Sequence, residues 1–244
     1  MSDRVRVALV TGGAVRVGRA IVTELAVSGW QVIFTYRASG GPARELVDEL
    51  QGKGCRALAF EADLDQAGAC AALVARVQAE LGVLDALVNN AAVFPRTPFQ
   101  ELTAARFSQV LRTNLEAPLF LAQAVAPLLR VRRGAVVNIV DIYGVFPLRD
   151  HIAYSVSKAA LIAATRCLAV ELAPEVRVNA VAPGIAIFPD EYDEATRKKL
   201  LARTLLRREG SGAEVARAVR YLLDGTETMT GQVLTLDGGR TVAL

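Results

Sequence analysis

Apolar residues fall in short dense runs, separated by longer stretches in which they recur every three or four positions. The runs Val5 to Val10, Gln31 to Thr35, Arg56 to Phe60, Leu84 to Asn89, Ala135 to Val140 and Arg177 to Ala182 are rich in Val, Ile and Leu, with little polar alternation. Such runs read as strands buried on both faces. The segments Gly18 to Ser28, Pro42 to Gln51, Ala67 to Leu81, Ala104 to Leu129 and Ile152 to Leu172 between them have helix length. Alternating buried strands and helices imply right-handed crossovers in a parallel sheet. A further strand at Gln232 to Leu236 completes a predicted α/β doubly wound parallel sheet of about seven strands, with helices on both faces.

The rhythm runs nearly from end to end without internal repeat, low-complexity tract or Pro/Ser-rich linker, so residues 1–244 are expected to form one domain. It lapses between Pro183 and Arg208, where Pro-Gly, Phe-Pro and a charged segment from Asp190 to Lys199 interrupt it. Residues 183–208 are therefore a candidate substrate-binding lid.

Composition narrows the class. Apolar residues make up 52% of the chain, yet the runs are short or broken by charge, and a bilayer span of about 20 apolar residues is not expected. Met1-Ser2-Asp3-Arg4-Val5-Arg6 leads into an apolar run too brief for a secretory signal, so a cytoplasmic protein is expected. The net charge of +3 comes from arginines scattered among acidic residues, without the basic tract of a nucleic-acid surface. Cys55, Cys70 and Cys167 lack metal-ligand or disulfide spacing and read as buried apolar thiols.

Candidate chemistry begins directly after the first strand, with Thr11-Gly12-Gly13-Ala14-Val15-Arg16-Val17-Gly18 opening a helix. Gly12 and Gly18 permit a tight turn and close backbone approach to a pyrophosphate, with Arg16 and Val17 beside it at a helix N-terminus. This arrangement belongs to a Rossmann-like dinucleotide site. Such sites place an acidic residue about 20 residues further on when the ribose 2′-hydroxyl is free. Here that place reads Tyr36-Arg37-Ala38-Ser39, and an arginine with a hydroxyl suits a 2′-phosphate, favouring NADPH. Taken alone, Arg37 also reads as a solvated loop residue. Asp63, followed by Leu64, comes after the third strand and serves either as an acceptor for the adenine amino group or as a helix N-cap. Asn90 and small Ala91 end the fourth strand at the sheet edge where a cofactor ring approaches, and Pro183-Gly184 ends the sixth.

Tyr154 and Lys158 are four residues apart, hence on one helical face. A lysine there is expected to favour the phenolate and lower the tyrosine pKa. The glycine pattern, Asn89-Asn90-Ala91, Asn114, Tyr154-x-x-x-Lys158 and Pro183-Gly184 occur in the order found in the short-chain dehydrogenase/reductase family, which the chain resembles over essentially its whole length. The resemblance implies hydride transfer from a nicotinamide, Tyr154 as proton donor, Lys158 tuning it and contacting the cofactor ribose, and Asn114 anchoring a relay water. It also implies a homo-oligomer, commonly a tetramer, built partly on the helices near Ala104 to Leu129 and Ile152 to Leu172.

Thirteen residues before the tyrosine, where the family usually carries serine, stands Asp141. A carboxylate cannot donate to a substrate carbonyl unless protonated. Either Asp141 is protonated, or activity is lost, or the substrate offers donors. The third option fits a likeness to the pteridine reductase branch, including bacterial dihydromonapterin and dihydrofolate reductases, carried by Arg16, Phe94 and Asp141. His151-Ile152-Ala153-Tyr154 and Asp237-Gly238-Gly239-Arg240 support it, though each is ordinary alone. The likeness implies a pteridine substrate, with Asp141 accepting from its amino group, Phe94 stacking on it and Arg16 meeting its carbonyl or the cofactor pyrophosphate. Phe94 also reads as loop packing, and His151 as a structural residue at the site rim. The rival expectations are a general carbonyl or 3-oxoacyl thioester reductase and a non-catalytic NADPH-binding regulatory protein.

Overall fold

The computed structural model describes residues 5–188 and 192–242. Strands β1 (Arg6–Val10), β2 (Trp30–Tyr36), β3 (Ala57–Glu61), β4 (Ala86–Asn89), β5 (Ala135–Ile139), β6 (Arg177–Pro183) and β7 (Val233–Leu236) form one sheet in the order β3-β2-β1-β4-β5-β6-β7. Every pairing is parallel. The chain builds outward from β1 to β3 and then returns to place β4 against β1. That reversal opens a crevice beyond the carboxyl ends of the two strands.

The helices are α1 (Arg16–Val27), α2 (Gly40–Gly52), α3 (Ala69–Leu81), α4 (Ala104–Leu111), α5 (Ala117–Arg132), α6 (Ile152–Leu172), α7 (Glu194–Leu201) and α8 (Gly212–Asp224). Successive strand side chains point to opposite faces. Ala8, Val10, Val32 and Phe34 therefore pack with Leu25 of α1 and Val219 of α8, whereas Val7, Leu9 and Ile33 pack with Val77 of α3 and Leu121 of α5. Burial on both sides explains the unbroken apolar runs, and each buried Val, Leu or Ile contributes about 1.5–3 kcal/mol.

The fold departs from four expectations. The single helix expected over Ala104 to Leu129 is interrupted by a π-helical turn at Arg112–Glu116. Pro118 has no N–H for the Asn114 carbonyl four residues back, and the Asn114 side chain bonds to Val93 and Ser157 instead of facing solvent. The candidate lid, residues 183–208, contains α7, capped by Asp193, which accepts from the Thr196 N–H at 2.8 Å. No described residue of α7 is fully buried, so no apolar stripe announced it. Residues 189–191 of that lid, Asp190 among them, lie outside the described residues, as do Met1 to Arg4 of the N-terminal reading.

Third, α6 is long and apolar enough to cross a membrane by length and composition, with a mean hydropathy of 1.2, against the expectation of no such segment. It packs through Leu168 and Leu172 on the sheet as a core helix. Fourth, the cysteines are not the buried thiols expected: Cys167 is exposed on the outer face of the same helix, and Cys55 and Cys70 are half-buried because they stand in the α2–β3 turn and the first turn of α3 rather than in a strand; all three thiols are free.

Candidate active site

The strand ends border a cleft of about 530 Å³. Every residue singled out for the site lines it except Asn114, which lies just behind. At the floor, Gly12 has φ +63°, and a Cβ there would lie 3.0 Å from Ala91 Cα. A Cβ on Gly18 would lie 2.0 Å from the Gly12 carbonyl oxygen and 2.6 Å from Asn90 Nδ2. That amide donates to the carbonyls of Thr11 (3.0 Å) and Gly12 (2.9 Å). Thr11 Oγ1 accepts from the N–H groups of Asn90 and Ala91, both at 3.0 Å. The loops after β1 and β4 are thus laced together into a side-chain-free floor, and Asn90 is its brace.

Beyond β2, the Arg37 side chain is 55% exposed and stands 4.0 Å from the Asp63 carboxylate. Asp63 accepts from the Asp65 N–H (3.2 Å) and Gln66 Nε2 (3.3 Å). It is not a helix N-cap, because α3 begins behind Gly68. Ser39 precedes α2 without making a side-chain capping bond. Tyr36 and Leu64 complete this end, and Pro183 and Gly184 close the cleft from β6. Arg16 adopts φ +53°, left-handed backbone that L-residues rarely enter. Its Nη2 donates to the Ile187 carbonyl at 3.1 Å, so here it grips the chain that follows β6.

At the other end, Asp141 follows β5. Its Oδ1 accepts from the Tyr143 N–H and its Oδ2 from the Tyr154 hydroxyl, both at 2.8 Å. Lys158 is buried one turn beyond Tyr154 and donates to the Ile139 carbonyl at 2.8 Å. Burial raises the Asp141 pKa, opposed by the Tyr143 N–H, the Tyr154 hydroxyl and the charges of Lys158 and Arg240. Burial lowers Lys158 to about 8, with Asp141 opposing.

Tyr154 reverses the expected direction. Burial, then the Asp141 carboxylate, raises it well above the ordinary tyrosine value. The Lys158 ammonium is 5.6 Å from the ring centroid and bonded elsewhere, whereas the carboxylate touches the hydroxyl. Proximity and sign decide the outcome.

Asn114 Oδ1 accepts from the Val93 N–H at 2.9 Å, and its Nδ2 donates to the Val93 carbonyl (3.0 Å) and Ser157 Oγ (3.1 Å). These bonds fix the loop that carries Phe94. The Phe94 ring stacks on His151 at 4.5 Å and meets Tyr154 edge-on at 4.6 Å, while 42% of the residue stays exposed. Phe94 and His151 therefore form a rim over the tyrosine. The sequence reading did not assign Tyr143, which lines the cleft two residues after Asp141, or Arg240, buried behind it. Tyr143's position beside Asp141 was the available signal.

A family model described as enoyl-(acyl carrier protein) reductase matches residues 13–241. A 3-oxoacyl-[acyl-carrier-protein] reductase of Staphylococcus aureus is 32% identical over 237 residues, 95% of this chain and 96% of that protein. The solved short-chain dehydrogenase/reductase of Serratia marcescens superposes with a TM-score of 0.91 at 31% identity, covering 97% of this chain and 98% of that one. A blue fluorescent protein from a metagenomic library, solved with NADPH, gives a TM-score of 0.89 at 34% identity, covering 96% of this chain and 97% of that one.

Proposed function

The chain belongs to the short-chain dehydrogenase/reductase family, and from that premise we propose that it is an NADPH-dependent reductase of a C=N bond in a 2-amino pteridine: a dihydropterin, dihydromonapterin or dihydrofolate-like ring. The observation that carries this reading is Asp141. An acceptor carboxylate, hydrogen-bonded at 2.8 Å to the Tyr154 hydroxyl, stands where a carbonyl substrate needs a donor. A pterin presents an amino group and an N–H, and its flat ring suits the Phe94 rim.

The cleft fits the cofactor. Gly12 and Gly18 leave backbone free at the pyrophosphate position, and the α1 N-terminus opens there. Asn90, Ala91, Pro183 and Gly184 flank the nicotinamide end. Arg37 and Ser39 would receive a 2′-phosphate and Tyr36, Asp63 and Leu64 would flank the adenosine, and the relative solved with NADPH supports the choice. Bound NADPH supplies the hydride. The C=N carbon takes the hydride, its π electrons move to nitrogen, and nitrogen takes the Tyr154 proton directly or through Asp141. The adjacent carboxylate disfavours a lasting phenolate, so reprotonation from Lys158 and the Asn114 side accompanies transfer. Arg16 and Ile185 to Phe188, which line the cleft, border the ring. A homo-oligomer, commonly a tetramer, assembled through α5 and α6 belongs to the same proposal, since Phe120 and Val170 leave apolar surface on them.

The alternative, a general carbonyl or 3-oxoacyl thioester reductase, draws on the named activity of the staphylococcal relative. It requires Asp141 to be protonated or bypassed, with Tyr154 donating to the carbonyl. Monitoring NADPH oxidation with dihydropteridines, dihydrofolate, 3-oxoacyl thioesters and simple ketones separates the two. Pteridines are expected to lead, and Asp141→Ser is expected to lower their kcat/KM by about tenfold while improving carbonyl turnover. A preference for 3-oxoacyl thioesters in the unmodified protein would sink the pteridine assignment.

Arg37→Ala is expected to raise the NADPH KM by roughly tenfold or more and leave the NADH KM nearly unchanged, because a charge-assisted contact to the 2′-phosphate is lost. Equal changes for both cofactors would remove Arg37 from that role.

A further inference from the structure

The chain after β7 makes a tight turn whose geometry is set by Asp237. Its carboxylate accepts from the N–H groups of Gly239 (2.9 Å) and Thr241 (2.7 Å) and from the Thr241 hydroxyl (2.7 Å). Gly238 and Gly239 take φ +61° and +79°, and the Arg240 N–H donates to the Asp237 carbonyl at 3.2 Å. The turn sends the Arg240 side chain inward. Arg240 is only 6% exposed, and its Nη1 meets no hydrogen-bond partner among the described residues.

A buried guanidinium with an unspent donor is costly unless a nearby acidic group answers its charge. Its central carbon lies 5.5 Å from the Tyr143 ring centroid, and the Tyr143 N–H holds Asp141 Oδ1 at 2.8 Å. The groups around this carboxyl come from three elements: Tyr154 and Lys158 from α6, Tyr143 from its own turn, and Arg240 from the C-terminal turn. Tyr192, ahead of α7, also acts on Tyr143 electrostatically. No described acidic side chain pairs with Arg240.

We propose that Arg240 is a specificity-determining positioning residue. Set against Tyr143 behind the cleft, it holds Asp141 as a hydrogen-bond acceptor and so selects substrates that present N–H donors over those that present a carbonyl. The selectivity half of the proposal rests on the pteridine reading; the electrostatic half does not. Arg240's charge favours the ionised form of both Asp141 and Tyr143, against burial, which favours the neutral forms. Without it, Asp141 becomes a donor at lower proton cost and the site approaches that of a carbonyl reductase.

The direct test follows the Asp141 carboxyl by NMR of isotope-labelled aspartate, assigned by the signal lost in Asp141→Asn. Arg240→Gln is expected to move its titration midpoint upward. Arg240→Lys, which keeps the charge, is expected to leave the midpoint near that of the unmodified protein. A stationary midpoint in Arg240→Gln, or the same displacement in both variants, would overturn the electrostatic role. Kinetically, Arg240→Gln should move the acid limb of pteridine kcat/KM upward, so that the variant loses most of that value on the acid side of the unmodified protein's profile, and raise carbonyl turnover. An equal fall for both substrates with an unmoved pH profile would mark a merely structural arginine. If the unmodified protein reduces no pteridine, the substrate assignment fails, while the carboxyl titration still decides the role of Arg240. If Arg240→Gln does not fold, Arg240→Lys is still expected to keep the midpoint in place, and a displaced midpoint there overturns the role.

Discussion

Tyr154→Phe is expected to reduce kcat by roughly a thousandfold while changing NADPH affinity by no more than about twofold. The phenylalanine keeps the ring that packs edge-on to Phe94 at 4.6 Å and removes only the hydroxyl that donates to Asp141 at 2.8 Å. Because Tyr154 is buried, bulk water cannot readily replace its hydroxyl. The loss therefore falls on the chemical step. Single-turnover kinetics beside equilibrium cofactor titration checks the split, and full turnover by the variant would exclude Tyr154 as the proton donor.

Lys158→Met is expected to cost roughly a hundredfold in kcat and to change how stability depends on pH. In the folded protein the Lys158 pKa falls from 10.5 to about 8, with burial as the leading cause. Between those values the unfolded chain binds more protons at this site than the folded one, so stability rises as pH climbs across the window. The rise amounts to roughly 3 kcal/mol at most, given about 1.4 kcal/mol for each pH unit of displacement. Below the folded value a buried ammonium must be maintained, and one bond to the Ile139 carbonyl only partly offsets its desolvation. Urea unfolding of both proteins from pH 7 to 10.5 is expected to show this climb in the unmodified chain and its absence in Lys158→Met. Parallel slopes would refute it.

Legibility from the sequence followed the kind of interaction. Buried strands declared themselves because each must be apolar on both faces, and the parallel sheet of seven strands followed from their alternation with helices, whereas their order is seen only in the fold. The glycines that line the cleft were legible because a Cβ at Gly12 or Gly18 has no room. The break in the Ala104 to Leu129 helix was written in Pro118, but it takes its meaning from Val93 and Ser157, which no local pattern connects to Asn114. The direction of the Tyr154 shift was misread because spacing brings Lys158 onto the right face without saying what its ammonium touches. Arg240 was hidden for a similar reason: Asp-Gly-Gly-Arg is an ordinary turn until the fold carries it behind Tyr143.

The brace between Thr11, Gly12 and Asn90 has a temporal side. Its partners are up to 79 residues apart in the chain, so a growing polypeptide that has made only β1, β2 and β3 possesses the glycine turn without the floor that shapes it. Nucleotide capture must wait for β4 to slot beside β1. During synthesis, retention on a cofactor-mimicking resin should therefore begin abruptly once β4 has cleared the ribosome, making cofactor binding a report on the moment the two halves of the sheet join.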